Sequence, residues 1–324
     1  MRTIEELQEI AIKIIEEESF LASPNNLYEP IEYAMHQEGK RIRPLLSLMA
    51  SDLFSGDIEK AKPAAIAIEV LHNFTLLHDD IMDKSPLRRG MPTVYNKYDT
   101  NTAILSGDTM FARAFTYLLK AEKTQIHDLV ETFTNASIEV CEGQAMDMCF
   151  EERNDVSIEE YIEMIRLKTG VLLASALKLG AITALADKKD MDYLYNFGLN
   201  IGIAFQLQDD ILDCWSNLED FGKVTGTDIA DNKKTFLYLK SLEIADKDDK
   251  EVLTKYFSST NFDKKEKEDA IKAIYHKLNL KAIAQELMQD YNNKAMESLE
   301  KIGVDNQRKQ NLIDFANKLM HRNK

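Results

Sequence analysis

The chain is poor in the residues that cross-link or punctuate a fold. It has three cysteines, Cys141, Cys149 and Cys214. They form no CxxC pair and no even framework, so a disulfide scaffold is excluded and a reducing, cytoplasmic setting is expected. All six prolines lie before residue 93, which is hard to reconcile with a turn-rich β-protein. Basic charge is also scarce, with 40 Lys and Arg against 55 Asp and Glu for a formal net charge of −15. No basic run supplies a phosphate-tracking stripe, so no nucleic-acid partner is expected. No apolar segment approaches the roughly 20 residues needed to span a bilayer. The segment Met1 to Phe20 has no signal-peptide layout, and stable membrane insertion is not expected.

What remains is helical periodicity. Apolar residues recur at i, i+3, i+4 and i+7 in Ile66, Val70, Leu71, Phe74 and Leu77. They recur again in Ile104, Met110, Phe111, Ala114, Phe115 and Leu118. No Rossmann or P-loop signature interrupts them, nor any strand–helix alternation. The expected fold is all-α, about ten or more helices around a central cavity, with residues 1–324 as a single domain. Gly90, Gly107, Gly170, Gly180, Gly222 and Gly226 mark expected breaks. The charged stretch Ala245 to Lys272 is expected to be a peripheral helical excursion.

Within this helical background one pattern occurs twice. Asp79, Asp80 and Asp83 spell Asp-Asp-x-x-Asp, and Asp209, Asp210 and Asp213 repeat it. On a helix of about 3.6 residues per turn, positions i and i+4 lie nearly above one another and i+1 flanks them. Each triplet follows an apolar run, Phe74 to Leu77 or Ile201 to Phe205, so each presents its carboxylates from an otherwise buried helix. Like charges so close to a core are costly unless a metal neutralises them. Two such triplets facing each other suit several hard divalent cations, and Mg²⁺ completed by water and substrate phosphates is the expected occupant.

Cations flank both triplets. Lys84-Ser85-Pro86-Leu87-Arg88-Arg89-Gly90 follows the first as a loop able to swing Arg88 and Arg89 back over it. Upstream, Gly39-Lys40-Arg41-Ile42-Arg43-Pro44 puts three more on a turn entering a helix. Lys223 and Lys233 follow the second triplet. Arginine's planar fork matches phosphate oxygens, and this arrangement is best explained by diphosphates bridged to Mg²⁺.

With these motifs in order, the chain resembles the trans-isoprenyl diphosphate synthases. The blocks are EGKRIRP (38–44), LHNFTLLHDDIMDKSPLRRGMPT (71–93), GDTMFARAF (107–115), EGQAMDM (142–148), KTG (168–170), FQLQDDILD (205–213), GKVTGTDI (222–229) and DNKKT (231–235). The resemblance implies that Asp79, Asp80, Asp83, Asp209, Asp210 and Asp213 hold three Mg²⁺ ions on an allylic diphosphate. It implies Arg88, Lys168, Lys223 and Lys233 as further ligands of that diphosphate. Lys40, Arg43, His72 and Arg89 resemble the pocket for isopentenyl diphosphate. Thr169 and Gln206 fall where the family faces the reacting carbons, and a homodimer is implied too. Two departures stand out: Glu38-Gly39-Lys40 replaces Gly-Gly-Lys, and Asn232-Lys233-Lys234-Thr235 replaces Gly-Lys-x-Thr. Asparagine tolerates the left-handed backbone that glycine supplies, so Lys233 is expected to keep its place.

The implied chemistry is ionisation of the allylic diphosphate, attack by the isopentenyl double bond, and loss of a proton to the released diphosphate. His78 reads as a structural hydrogen-bonding residue. Phe74 and Thr75, upstream of Asp79, are expected to limit product length. One aromatic there, with no insertion in the triplet, resembles the geranylgeranyl (C20) pattern, with farnesyl (C15) second. Three rival readings fit less well. A class I terpene cyclase wants Asn-Asp-x-x-Ser-x-x-x-Glu, and Asn154-Asp155-Val156-Ser157 has its serine one position early. A non-catalytic subunit of a heteromeric synthase typically lacks one triplet. A ferritin-like bundle needs a second Glu-x-x-His beside Glu69 to His72.

Overall fold

The structure is a computed structural model and describes residues 1–216, 226–258 and 262–320. Their regular secondary structure is helical apart from one two-stranded hairpin, and they divide into two compact units. The three cysteines are free. No helix among the described residues is long and apolar enough to cross a membrane.

The first unit comprises Met1–Ser137, Leu172–Tyr195 and Ile302–Leu312. Its opening helix, Ile4–Glu16, starts with a Thr3/Glu6 capping box and buries Leu7, Ala11, Ile14 and Ile15. That is the single apolar stripe of a surface helix. The helix Ile58–Met82 is different. Asp57 caps it, and every residue from Ala64 to Leu71 is buried. A helix buried on all sides belongs in a core, so its free end, carrying Asp79, Asp80 and Asp83, projects from a fixed axle. The helix Ile42–Leu53 is buried from Pro44 onward. Thr100–Leu118 supplies Ala103, Met110, Ala114 and Leu118 to the same core.

The second unit comprises Ile138–Val171, Asn196–Lys301 and Ile313–Lys324. A Ser157/Glu160 capping box starts the helix Ile158–Ile165. The backbone then widens into a π-helical turn over Arg166–Gly170. The second triplet rides on Lys188–Trp215. The charged stretch forms the helices Lys247–Phe257 and Lys264–Lys277, largely exposed as expected but pinned by Leu253, Phe257, Ile271 and Tyr275.

The glycines correct one expectation. Gly90 and Gly226 do mark turns, each with φ of +76°, and Gly222 lies outside the described residues. Gly107, Gly170 and Gly180 lie within continuous helical backbone. They are there for close approach: a Cβ on Gly180 would stand 1.9 Å from the Ser47 carbonyl oxygen, and one on Gly107 would stand 2.5 Å from His78 Nε2.

Candidate active site

The first triplet closes the helix Ile58–Met82, with Asp83 as its C-cap donating its backbone N–H to the Asp79 carbonyl. The segment expected to be a loop is a hairpin. Leu87 pairs with Pro92 and Arg88 with Met91, leaving Arg89 and Gly90 as a two-residue turn with φ of 53° and 76°. Positive φ at both central positions is the signature of a type I′ turn, whose twist matches that of the paired strands. Tyr33 OH anchors it by donating to the Pro92 carbonyl at 2.7 Å. The hairpin folds Arg88 back onto the carboxylates. Its Nε donates to Asp80 Oδ1 at 2.8 Å and its Nη2 to Asp79 Oδ2 at 3.2 Å.

Next to this pair lies a concentration of arginine. Arg89 Nη1 donates to the Glu38 carbonyl at 3.0 Å. Gly39 is what admits it, since a Cβ there would sit 2.7 Å from the same nitrogen. Burial pulls the Arg43 guanidinium down to about 10, with Glu69 opposing and Arg89 reinforcing the shift. His72 is held well below the ordinary histidine range, first by burial and then by Arg43, Arg89, Arg88 and Arg41. It is therefore neutral at pH 7 and offers one N–H to an anion. Lys40 is exposed. Arg41, Arg43, Arg88 and Arg89 form an electropositive cluster around neutral His72.

Phe74 leaves the same helix below the triplet. Its ring meets His78 at 4.8 Å and Phe111 at 5.3 Å between centroids. Phe111 in turn touches Phe115 and Phe133, and Phe133 is fully buried. Thr75 donates its hydroxyl to the His72 carbonyl at 2.8 Å. His78 lies 3.3 Å from the Ile104 carbonyl, the structural contact expected of it.

In the second unit, Asp209 is half-buried and Asp210 is 4% exposed. Asp210 accepts one hydrogen bond from Tyr161 OH and another from Gln206 Nε2 at 3.3 Å. Asp213 anchors the start of the helix Thr227–Ala230. It accepts from Thr227 Oγ1 at 2.7 Å, Thr227 N at 3.2 Å and Asp228 N at 3.1 Å. The π turn sets Lys168 and Thr169 on this side, consistent with the tendency of such bulges to sit at functional positions. Thr169 Oγ1 donates to Gln206 Oε1 at 3.2 Å. Lys168 Nζ reaches Asp147 Oδ2 at 2.7 Å, and Lys233 Nζ reaches Glu151 Oε1 at 2.9 Å. Asn232 has φ of 59°, the left-handed backbone expected where the family has glycine. A cavity of about 160 Å³ is lined by Lys168, Thr169, Gln206, Asp210, Asp228 and Lys233, among others. Lys223 lies outside the described residues.

Four residues of this site were not singled out by sequence: Asp147, Glu151, Tyr161 and Asp228. Asp147 stands inside the block EGQAMDM, so a signal was present. So does Asp228, inside GKVTGTDI; Tyr161 carries none, because only tertiary packing brings it to Asp210.

Burial pushes the Asp210 carboxyl up to about 7, with Asp213 adding to the effect and the Tyr161 and Gln206 hydrogen bonds opposing it. Asp228 is raised too, by burial and then by Asp210 and Asp213. A carboxyl raised in the fold binds its proton more tightly there than in the unfolded chain. The stability it contributes is full below its ordinary value of 3.8 and is lost as pH rises through about 7. In EDTA, therefore, the Tm of the protein is expected to carry a component that falls between about pH 4 and pH 7. Asp210→Asn should make that fall shallower; an unchanged slope in thermal melts would assign the titration elsewhere.

Comparison with known proteins agrees with this geometry. A family model described as polyprenyl synthetase matches residues 24–278. The geranylgeranyl diphosphate synthase of Sulfolobus acidocaldarius is 42% identical over 244 residues, 74% of each chain. The geranylfarnesyl diphosphate synthase of Natronomonas pharaonis is 39% identical over 254 residues, 73% of this chain and 74% of that one. A crystal structure of a geranylgeranyl pyrophosphate synthase superposes with a TM-score of 0.95 at 40% identity, covering 99% of both chains. With two acidic helix ends and the basic residues gathered beside them, the chain belongs to the polyprenyl synthetase family and is a short-chain trans-prenyltransferase.

Proposed function

We propose that this enzyme condenses isopentenyl diphosphate with allylic diphosphates of C5 to C15 and releases geranylgeranyl diphosphate, with farnesyl diphosphate the alternative product. The observation that carries the reading is the carboxylate-bearing end of Ile58–Met82, gripped by Arg88 and bordered by Arg43, Arg89 and neutral His72. A site of this charge pattern suits two anionic groups and a hard cation.

The proposed Mg²⁺ ligands are Asp79, Asp80, Asp83, Asp209, Asp210 and Asp213, with about three ions per site. The donor set fits, because it is made only of carboxylate oxygens and Asp83 is exposed to incoming ions. Asp213 has the least to offer, since both its oxygens already accept hydrogen bonds. When bound, the metal neutralises diphosphate oxygens and makes the diphosphate a better leaving group.

The remaining roles belong to the protein's own side chains. Arg88, Lys168, Lys233 and Lys223 hold the allylic diphosphate. For the two described lysines this means exchanging Asp147 and Glu151 for substrate oxygens. Lys40, Arg43, His72 and Arg89 hold isopentenyl diphosphate and aim its double bond. The allylic C–O bond breaks, leaving a delocalised carbocation. The double bond attacks it to form the new C–C bond. A proton then leaves the isopentenyl carbon beside the one that still bears its diphosphate, restoring a double bond, and passes to the released diphosphate. The Thr169 hydroxyl and Gln206 amide, oriented by their mutual hydrogen bond and by Asp210, face the developing charge. Phe74 and Thr75 limit the growing tail. The full chain, residues 1–324, is proposed to act as one catalytic domain in a cytoplasmic homodimer.

Product analysis tests this. With Mg²⁺, isopentenyl diphosphate and C5, C10 or C15 starters, chromatography of dephosphorylated products should show C20 accumulating from all three. Hydrocarbon made from farnesyl diphosphate alone would point to a cyclase, and inactivity of the isolated chain to a non-catalytic subunit.

A further inference from the structure

Three cations crowd into Lys40-Arg41-Ile42-Arg43, and the middle one differs from its neighbours. Arg41 is 6% exposed and its guanidinium turns inward. Nη1 donates to Glu69 Oε1 at 2.9 Å, and Nη2 donates to the Met35 and Gln37 carbonyls at 2.6 and 2.7 Å. Those carbonyls lie at the end of the helix Asn25–Met35, where backbone acceptors have no helical partner. The Arg41 backbone is left-handed, with φ 44° and ψ 45° and no side-chain cap. A residue with a side chain persists in that conformation only where its surroundings impose it.

Glu69 holds the Arg41 guanidinium together with the Met35 and Gln37 carbonyls. It is 2% exposed on the central helix, one turn before His72. Its charge also reaches Arg43 and Arg89, where it opposes part of the lowering that burial imposes on both. Any rotation at Arg41 would redirect Lys40 on one side and Arg43 on the other. Arg43 Nε is itself buried without a hydrogen-bond partner, a donor with unused capacity.

We infer that Glu69, acting through Arg41, is a positioning residue for isopentenyl diphosphate. The ion pair holds the left-handed turn that presents Lys40 and Arg43 to that substrate's diphosphate. The inference rests on the pocket assignment proposed above.

The test is a split in steady-state kinetics of the full chain. Each substrate is varied in turn against a saturating amount of the other. Glu69→Ala is expected to raise KM for isopentenyl diphosphate about tenfold or more, leaving kcat and the allylic KM within about twofold. Glu69→Gln keeps an acceptor for Arg41 and should restore most of the loss. A merely structural role lowers the active fraction and moves neither KM selectively. An unmoved isopentenyl KM, or equal rises in both KM values, overturns the inference. Glu69→Ala also strands a buried arginine charge. If it does not fold, the double variant Arg41→Met with Glu69→Met removes both charges together and is read by the same two outcomes. Condensation by the wild type with unmoved KM values in the variants overturns this inference alone; no condensation by the wild type overturns the functional reading with it.

Discussion

Replacing Asp79 by alanine is expected to lower kcat about 10³-fold while Tm measured without Mg²⁺ moves by only a few degrees. The loss corresponds to about 4 kcal/mol of barrier. It is large because Asp79 is proposed to hold the cation that draws charge from the departing diphosphate. It leaves the fold intact because Arg88 keeps its better partner: Asp80 Oδ1 lies 2.7 Å from Nη2, against 3.2 Å for Asp79 Oδ2. Removing Asp79 also takes one like charge away from Asp80, whose carboxyl is raised by burial first and by Asp79 in lesser part. Asp80→Ala should behave differently. Its side chain is 5% exposed, and losing it strips Arg88 of its principal counter-ion, so stability falls along with activity. A kcat for Asp79→Ala within tenfold of wild type, at saturating substrates and Mg²⁺, would remove Asp79 from the metal site.

The second large effect is on product length. Phe74→Ala is expected to shift the main product from C20 to C25 or longer, seen as later-eluting alcohols after dephosphorylation. A lengthening chain that meets the Phe74 ring must overlap it, and alanine removes the obstacle. The extension should be limited, because Phe111 stands 5.3 Å beyond and packs in turn on fully buried Phe133. Adding Phe111→Ala should release a further increment. Truncating Phe74 costs about 3 kcal/mol of stability through the cavity it leaves, so products are compared well below Tm. Unchanged products in the single variant would reduce Phe74 to core packing.

The parts of the site that were legible in advance are those built from neighbours along the chain. The triplets depend only on helical spacing, and each does sit on a helix buried upstream of it. Asn232 in place of glycine kept its left-handed backbone, a property of one residue's own side chain. The hairpin was half visible: Pro86 and Gly90 announced the end of the helix, but pairing of Leu87 with Pro92 depends on the whole turn. The glycines at 107 and 180 misled because a glycine signals either a break or a close approach. The choice is made by what packs against it, His78 in one case and the Ser47 carbonyl in the other.

By itself, the sequence determined the helical class, the two carboxylate triplets and the basic segments beside them, because periodicity and residue chemistry act over a few positions. The tertiary structure decided how those groups are held. Asp210 is raised because the surrounding core takes it out of water, against the hydrogen bond it accepts from Tyr161, 49 residues away. Lys168 finds Asp147 at a separation of 21 residues. Arg41 turns away from its cationic neighbours because Glu69, 28 residues on, lies buried within its reach. Burial and long-range partners set the charge state and direction of each group, and neither is written in local spacing.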